Sequence, residues 1–236
     1  MLLTNQTFLQ VISESFNEFL SSGSSRSTAK LKPLHGAIAN DIAFRLGNDY
    51  HVFSQGYGKG KETKIKGRYM DKMVDITIKK DNITIAGIAI KFVMQNYSQN
   101  SNNYFENMLG ETANIRCNNH PYFQIFIILD KLPYYNDKKE IKRWETFSDH
   151  NVSKYIMLAN DNIEIFYHSP NKTLIYVLHI PDNNQLGTKE EYFEYYRNLN
   201  FNIKLSSHQY APFGTSVILN DYEKFIEKVY HTIKSI

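Results

Sequence analysis

The sequence predicts an α/β or α+β domain, a central mixed sheet flanked by helices, and three observations carry that expectation. Apolar residues recur at helical spacing near both ends of the chain, β-branched residues alternate through residues 72–93, and YFQIFIILDKL is a short, almost unbroken apolar run. The 236 residues suit one domain, and 42% hydrophobic with 14% aromatic residues fit a globular chain with a sizeable core.

Taken in order, Leu9, Ile12, Phe16, Phe19 and Leu20 define an amphipathic helix, and SSGSSRS is a flexible break after it. PLHGAIANDIAFRL, with Pro33 in the permitted first turn and Gly47 at the stop, is a second helix. In KMVDITIKKDNITIAGIAIKFV two strands are joined by a turn at Asp81-Asn82. A polar loop follows, then a helix over NYFENMLGETANIR, then the apolar run as a central buried strand between His120-Pro121 and Pro133. DKKEIKRWETF and VSKYIMLAN have helical patterns, and IEIFYHS and TLIYVLHIP read as extended. TKEEYFEYYRNL and DYEKFIEKVYHTIKSI close the chain as amphipathic helices.

Several function classes are weakened at once. No run approaches the roughly 18 apolar residues of a membrane helix. The N-terminus lacks the basic start and continuous apolar centre of a signal peptide. A single cysteine, Cys117, excludes an internal disulfide framework and fits a cytoplasmic chain. HExxH and Cys/His zinc spacings do not occur, and GYGKGK is not a phosphate-binding GxxxxGK[ST] loop. The formal charge is only +3, so the distribution of charge matters more than its sum.

Two residues of the hairpin carry the candidate chemistry. Asp75 on the first strand and Lys91 on the second lie off the more apolar faces, which hold Val74, Ile76, Ile78 and Ile88, Ile90, Phe92. A carboxylate, a second acid and a lysine together suit Mg²⁺-dependent phosphodiester hydrolysis; an exposed Asp and a snorkelling Lys are the structural explanation. The segment GRYMDKMVDITIKKDNITIAGIAIKF resembles the PD-(D/E)xK nuclease superfamily, particularly type II restriction endonucleases. It departs from the family pattern at Val74, where proline is usual, and at Ala89, where an acid is usual.

That resemblance implies a restriction-endonuclease-like core over about residues 33–132, with residues 133–236 supplying recognition or dimerisation. It implies Mg²⁺, double-stranded DNA as substrate and a homodimer. Asp75 would be the metal ligand, Ile90 would offer its backbone carbonyl, and Lys91 would act on the attacking water. The acid missing at Ala89 would come from the following helix: helical phase favours Glu111, whereas sequence distance from Lys91 favours Glu106. Ala89 in place of an acid also fits an engineered replacement, or a DNA-binding module without activity. A third class is an interaction protein whose hairpin matches by chance.

The basic run Lys59, Lys61, Lys64, Lys66 and Arg68 is a candidate phosphate-tracking segment or a solvated loop. Gln95, Asn96, Gln99, Asn102 and Asn103 are candidate base or phosphate contacts, or turn and capping residues. His35, Asn40 and Asp41 on the second helix are weighed between approach to the metal site and surface or capping roles. Tyr192, Phe193, Tyr195 and Tyr196 are weighed between base stacking and core packing.

Overall fold

The computed structural model describes residues 2–22 and 29–236, so the SSGSSRS break lies, from Gly23 on, outside the described residues. From the N-terminus the chain forms α1 (Asn5–Ser22), a 3₁₀ turn (Ala29–Leu31), α2 (Lys32–Leu46), β1 (Tyr50–Ser54), β2 (Thr63–Lys66) and β3 (Asp71–Val74). The hairpin strands β4 (Ile76–Lys80) and β5 (Ile83–Val93) follow, then α3 (Tyr97–Arg116) and β6 (Tyr122–Leu129). β7 (Lys131–Tyr135), β8 (Ile141–Thr146), α4 (Asp149–Ala159) and β9 (Lys172–His179) come next. The chain ends with α5 (Lys189–Asn198), β10 (Lys204–Leu205), β11 (Val217–Leu219) and α6 (Tyr222–Lys234).

The central sheet is mixed, in the order β1-β4-β5-β6-β9-β10, with β11 beside β9. β4 and β5 are antiparallel, joined at Asp81 and Asn82, both with positive φ (49° and 62°). That conformation matches the right-handed twist of hairpin strands, and Asn and Asp tolerate it better than other side-chain-bearing residues. β5, β6 and β9 run parallel, which requires crossovers: α3 returns the chain from β5 to β6, and the segment containing α4 returns it from β6 to β9. All eight residues of β6 are buried, as expected of a parallel strand covered on both faces. α1 docks through Phe8, whose ring stacks on Tyr222 at 4.1 Å and meets Tyr176 edge-on at 5.0 Å.

Four expectations are corrected. DKKEIKRWETF is not a helix: Ile141–Thr146 pairs with β7 as a hairpin, Pro133 opposite Trp144, so strand pairing overrides the helix propensity of its Lys and Glu residues. IEIFYHS is a series of turns, because its carbonyls at Ile163, Phe166 and Ser169 accept from the Arg116 guanidinium rather than from a strand. The polar segment after β5 is not a loop before a helix; Asn96 turns the chain in the left-handed region (φ 52°, ψ 44°) and α3 begins at Tyr97. Asp75 lies in neither strand but at the bend between β3, in a separate two-stranded ribbon with β2, and β4 of the central sheet. β9, from the C-terminal part of the chain, pairs with Phe123–Leu129 of β6 in the central sheet.

Tyr192, Phe193 and Tyr196 are buried in the core, so packing and not base stacking is their role. Asn40 is exposed, and Asp41 is spent on Arg45 (3.0 Å) and the Tyr222 hydroxyl (2.8 Å). His35, six residues before Asp41 on α2, goes elsewhere. A methyl group on Gly36 would collide with the Gly56 carbonyl, and this close approach of helix and loop sets His35 against Gln55.

Candidate active site

The bend before β4 aims the Asp75 carboxylate across at β5, where its Oδ2 accepts from the Ile90 N–H at 2.7 Å. The Asp75 carbonyl accepts from the buried Ser54 hydroxyl at 2.6 Å, so main chain and side chain are both pinned. Because Ile76 pairs with Ile88, Asp75 faces the part of β5 that holds Ala89 and Lys91. A cavity of ≈ 210 Å³ opens there, lined by Asp75, Ala89, Ile90 and Lys91 from the hairpin region, by Tyr104, Asn107 and Glu111 of α3, and by Gln124 of β6.

The helical phase of α3 decides which glutamate meets this cavity. Glu111 lines it, paired with Lys72 of β3 and accepting from the Tyr122 hydroxyl at 3.3 Å. Glu106 is exposed and is not among the residues lining the cavity. Lys91 sits at the mouth with its Nζ 4.4 Å from the centre of the Tyr104 ring. Burial draws the lysine below its ordinary pKa against the pull of Asp75 and Glu111.

On its other side Asp75 meets Glu62 and His35. One ligand atom from each of the three lies within 4.8 Å of the others. Gln55 bonds His35 Nδ1 at 3.2 Å, and burial holds the imidazole down at about 4, hence neutral and able to act as a ligand. Asp75 is pushed up to about 7, mainly by burial, with the Ile90 hydrogen bond opposing and the charges of Glu62 and Glu111 adding to the rise. Three carboxylates crowd a partly buried space that holds Lys91 and Lys72 as nearby cations, and a divalent cation would relieve that imbalance. The donors therefore fit a metal: the oxygens of Asp75 and Glu111 suit Mg²⁺, and the His35 nitrogen beside Glu62 suits Mn²⁺ or another first-row ion as well.

The remaining candidates separate. Lys61, Lys64, Lys66 and Arg68 are all exposed, the middle two on the outer face of β2. Gln99, Asn102 and Asn103 are exposed on the first turns of α3. Asn96 is not available to DNA, since its Oδ1 accepts from the Tyr135 N–H at 2.8 Å and braces β7; Gln95 beside it is half-buried. Several residues of the site are absent from the sequence-based set, Asn107 and Lys72 as well as Glu62 and Gln124. Glu62 is hidden by its basic neighbours, and Gln124, directly opposite Ala89 on the adjacent strand, is signalled only as the one amide in YFQIFIIL. Its amide nitrogen is buried with no partner among the described residues.

The two shifted groups predict a specific pH dependence. An Asp titrating near 7 in the folded state and 3.8 unfolded keeps its proton on folding, so its contribution to stability is lost as pH rises through that window. His35, near 4 folded and 6.5 unfolded, acts oppositely: its contribution is lost as pH falls from 6.5 to 4. In metal-free protein, Asp75→Asn is expected to change Tm little at pH 4 and to raise it by several degrees at pH 7.5. Calorimetry showing the same Tm difference at both pH values would contradict this assignment.

No family model, curated protein or solved structure matches the chain. Among the described residues no helix is long and apolar enough to cross a membrane.

Proposed function

We propose that this protein is a Mg²⁺- or Mn²⁺-dependent endonuclease acting on double-stranded DNA, with a restriction-endonuclease-like core, and that it works as a site-specific homodimer. The observation that carries this reading is the convergence of Asp75, Glu111 and Lys91 on one cavity although Ala89 supplies no acid.

Asp75 and Glu111 would hold the ion, with the Ile90 carbonyl as a further ligand in the proposal and Glu62 with His35 on the far side of Asp75. Bound there, the metal supplies charge neutralisation at a phosphate and a lowered pKa for a bound water. Lys91 Nζ, drawn below its ordinary pKa and kept off any ion pair among the described residues, orients the attacking water and shields charge on the phosphate. The Ile90 N–H fixes the Asp75 carboxylate through Oδ2, and Asp75 lines the cavity. Tyr122 and Lys72 hold the two carboxylate oxygens of Glu111, one each.

Incubation of supercoiled plasmid with the protein and Mg²⁺ or Mn²⁺ tests the proposal, and discrete linear products are expected. Glu111→Gln is expected to lower cleavage by at least about 100-fold, whereas Glu106→Gln stays within about twofold. The reverse ranking would remove Glu111 from the site. A wild-type chain that binds duplex in a salt-sensitive way but never cuts would favour the second reading, a DNA-binding protein of the same fold, for which Ala89 is the motivating residue.

A further inference from the structure

The β2–β3 ribbon ends in a turn, Gly67-Arg68-Tyr69-Met70, that is held far more tightly than its exposure requires. Asn114, buried near the end of α3, accepts from the Tyr69 N–H (2.9 Å) and the Met70 N–H (3.3 Å) through Oδ1, and its Nδ2 donates to the Met70 carbonyl at 2.9 Å. The Asn114 carbonyl accepts from the Arg68 N–H at 2.7 Å, and Asn118 Nδ2 donates to the Lys66 carbonyl at 2.8 Å. Gly67 has no room for a side chain, because a methyl group would overlap the Asn114 amide. The effect of this clamp is to hold Tyr69 (78% exposed) and Met70 (66% exposed) out in solvent. Large apolar side chains fixed outward on a rigid turn mark a contact surface.

Charge identifies the partner. From Lys59 to Asp71, leaving aside Lys72 with its Glu111 partner, five basic side chains stand against two acidic ones, an excess equal to the +3 of the whole chain. Lys64 and Lys66 point outward from β2, opposite Met73 and Asp71 of β3, so this face of the ribbon carries two lysines and one aspartate and ends at Arg68 and the apolar tip. A two-stranded ribbon is narrow enough for a DNA groove. From the tip, β3 and the bend that follows it reach Asp75 in five residues, at most roughly 17 Å of extended chain or about the length of five base pairs.

We propose that Tyr69 and Met70 form a wedge that enters duplex DNA at a base step and partly unstacks it, while the basic face of the ribbon carries it along the groove. The inference rests on the reading of the protein as one that acts on duplex DNA, and it adds a fixed point from which the distance to the cut is set. An apolar side chain inserted at a step kinks and unwinds the duplex.

Because the recognition sequence does not enter the test, two sequence-independent readouts suffice. The first is anisotropy of labelled duplex across a salt series in EDTA. The second is plasmid relaxed by a topoisomerase that needs no metal, in the presence of the full chain. Wild type is expected to bind and to shift the topoisomers toward unwinding. Tyr69→Ser with Met70→Ser is expected to abolish the shift and to weaken binding about tenfold at an unchanged salt slope. Lys64→Ala with Lys66→Ala is expected to lower the slope by about 2. Gly67→Ala, which leaves both wedge residues in place but displaces them from Asn114, is expected to reproduce the loss of unwinding. Unchanged unwinding in the double serine variant overturns the wedge alone, with Mg²⁺-dependent cleavage unaffected. A wild-type dimer that dissociates in that variant, seen by light scattering, also overturns it by making the tip a self-association surface. No duplex binding by wild type overturns it as well, and with no cleavage the nuclease reading falls separately.

Discussion

Asp75→Asn and Lys91→Ala are each expected to lower metal-dependent cleavage by about a thousandfold or more, and they should do so for different reasons. Asparagine is close in shape to aspartate and its carbonyl oxygen can still accept from the Ile90 N–H, so the bend before β4 is retained. What disappears is the charge that holds the ion, and removing a metal ligand forfeits the several kcal/mol of transition-state stabilisation the ion supplies. The variant should be as stable as wild type or more so at neutral pH, since burial disfavours the Asp75 carboxylate. Lys91→Ala leaves both carboxylates in place, so the metal should still raise Tm while cleavage is lost. Lys91→Met separates charge from packing, because its stem can still cover the Tyr104 ring. Residual cutting by both variants at the wild-type rate would assign the activity to another protein in the preparation.

The elements that positioned these residues were legible where local pattern and tertiary environment agree. Helix α2, the hairpin turn at Asp81-Asn82 and the strand β6 each have a periodicity or turn chemistry that the fold leaves intact. β8 was not legible. Lys138, Lys139, Glu140, Lys142 and Glu145 are good helix formers, and only β7, whose Pro133 lies opposite Trp144, makes a strand of the segment. The turns after α4 lack a local signal for a related reason: the partner of their carbonyls is a guanidinium 47 to 53 residues earlier.

Within the site, helical phase is a local property and puts Glu111 rather than Glu106 at the cavity, whereas Asp75 reaches it from the bend before β4 and not from a strand. Glu62 and Gln124 have no such local signal. Glu62 reaches Asp75 only because a loop folds back beside α2 at the Gly36–Gly56 contact, and Gln124 faces Ala89 only through the parallel register of β5 and β6. His35 was placed among the candidates by its helix, but its neighbours Asn40 and Asp41 point to other work, since one is exposed and the other is bonded to Arg45 and Tyr222. Long-range strand register and loop return are the parts a single sequence does not encode in any window.

Restoring the acid at Ala89 gives the second large effect, and it is expected to be conditional. Ala89 is half-buried at the cavity, directly across from Gln124, whose amide nitrogen has no partner among the described residues. A glutamate at Ala89 would place a carboxylate within reach of that donor, which offsets part of its desolvation. Added to wild type it brings a further negative charge beside Asp75 and Glu111, so metal-free Ala89→Glu should melt below wild type at pH 8 and regain the difference when Mg²⁺ is added. Added to Glu111→Gln, it should recover at least about tenfold of the lost cleavage, because the second carboxylate then reaches the ion from β5 instead of α3. Activity appearing in Ala89→Glu from an inactive wild type would mean that Glu111 does not replace the missing acid and that the natural chain binds without cutting. Absence of rescue, together with a Tm response to Mn²⁺ that Ala89→Glu leaves unchanged and His35→Ala abolishes, would move the ion to the Glu62 and His35 side of Asp75.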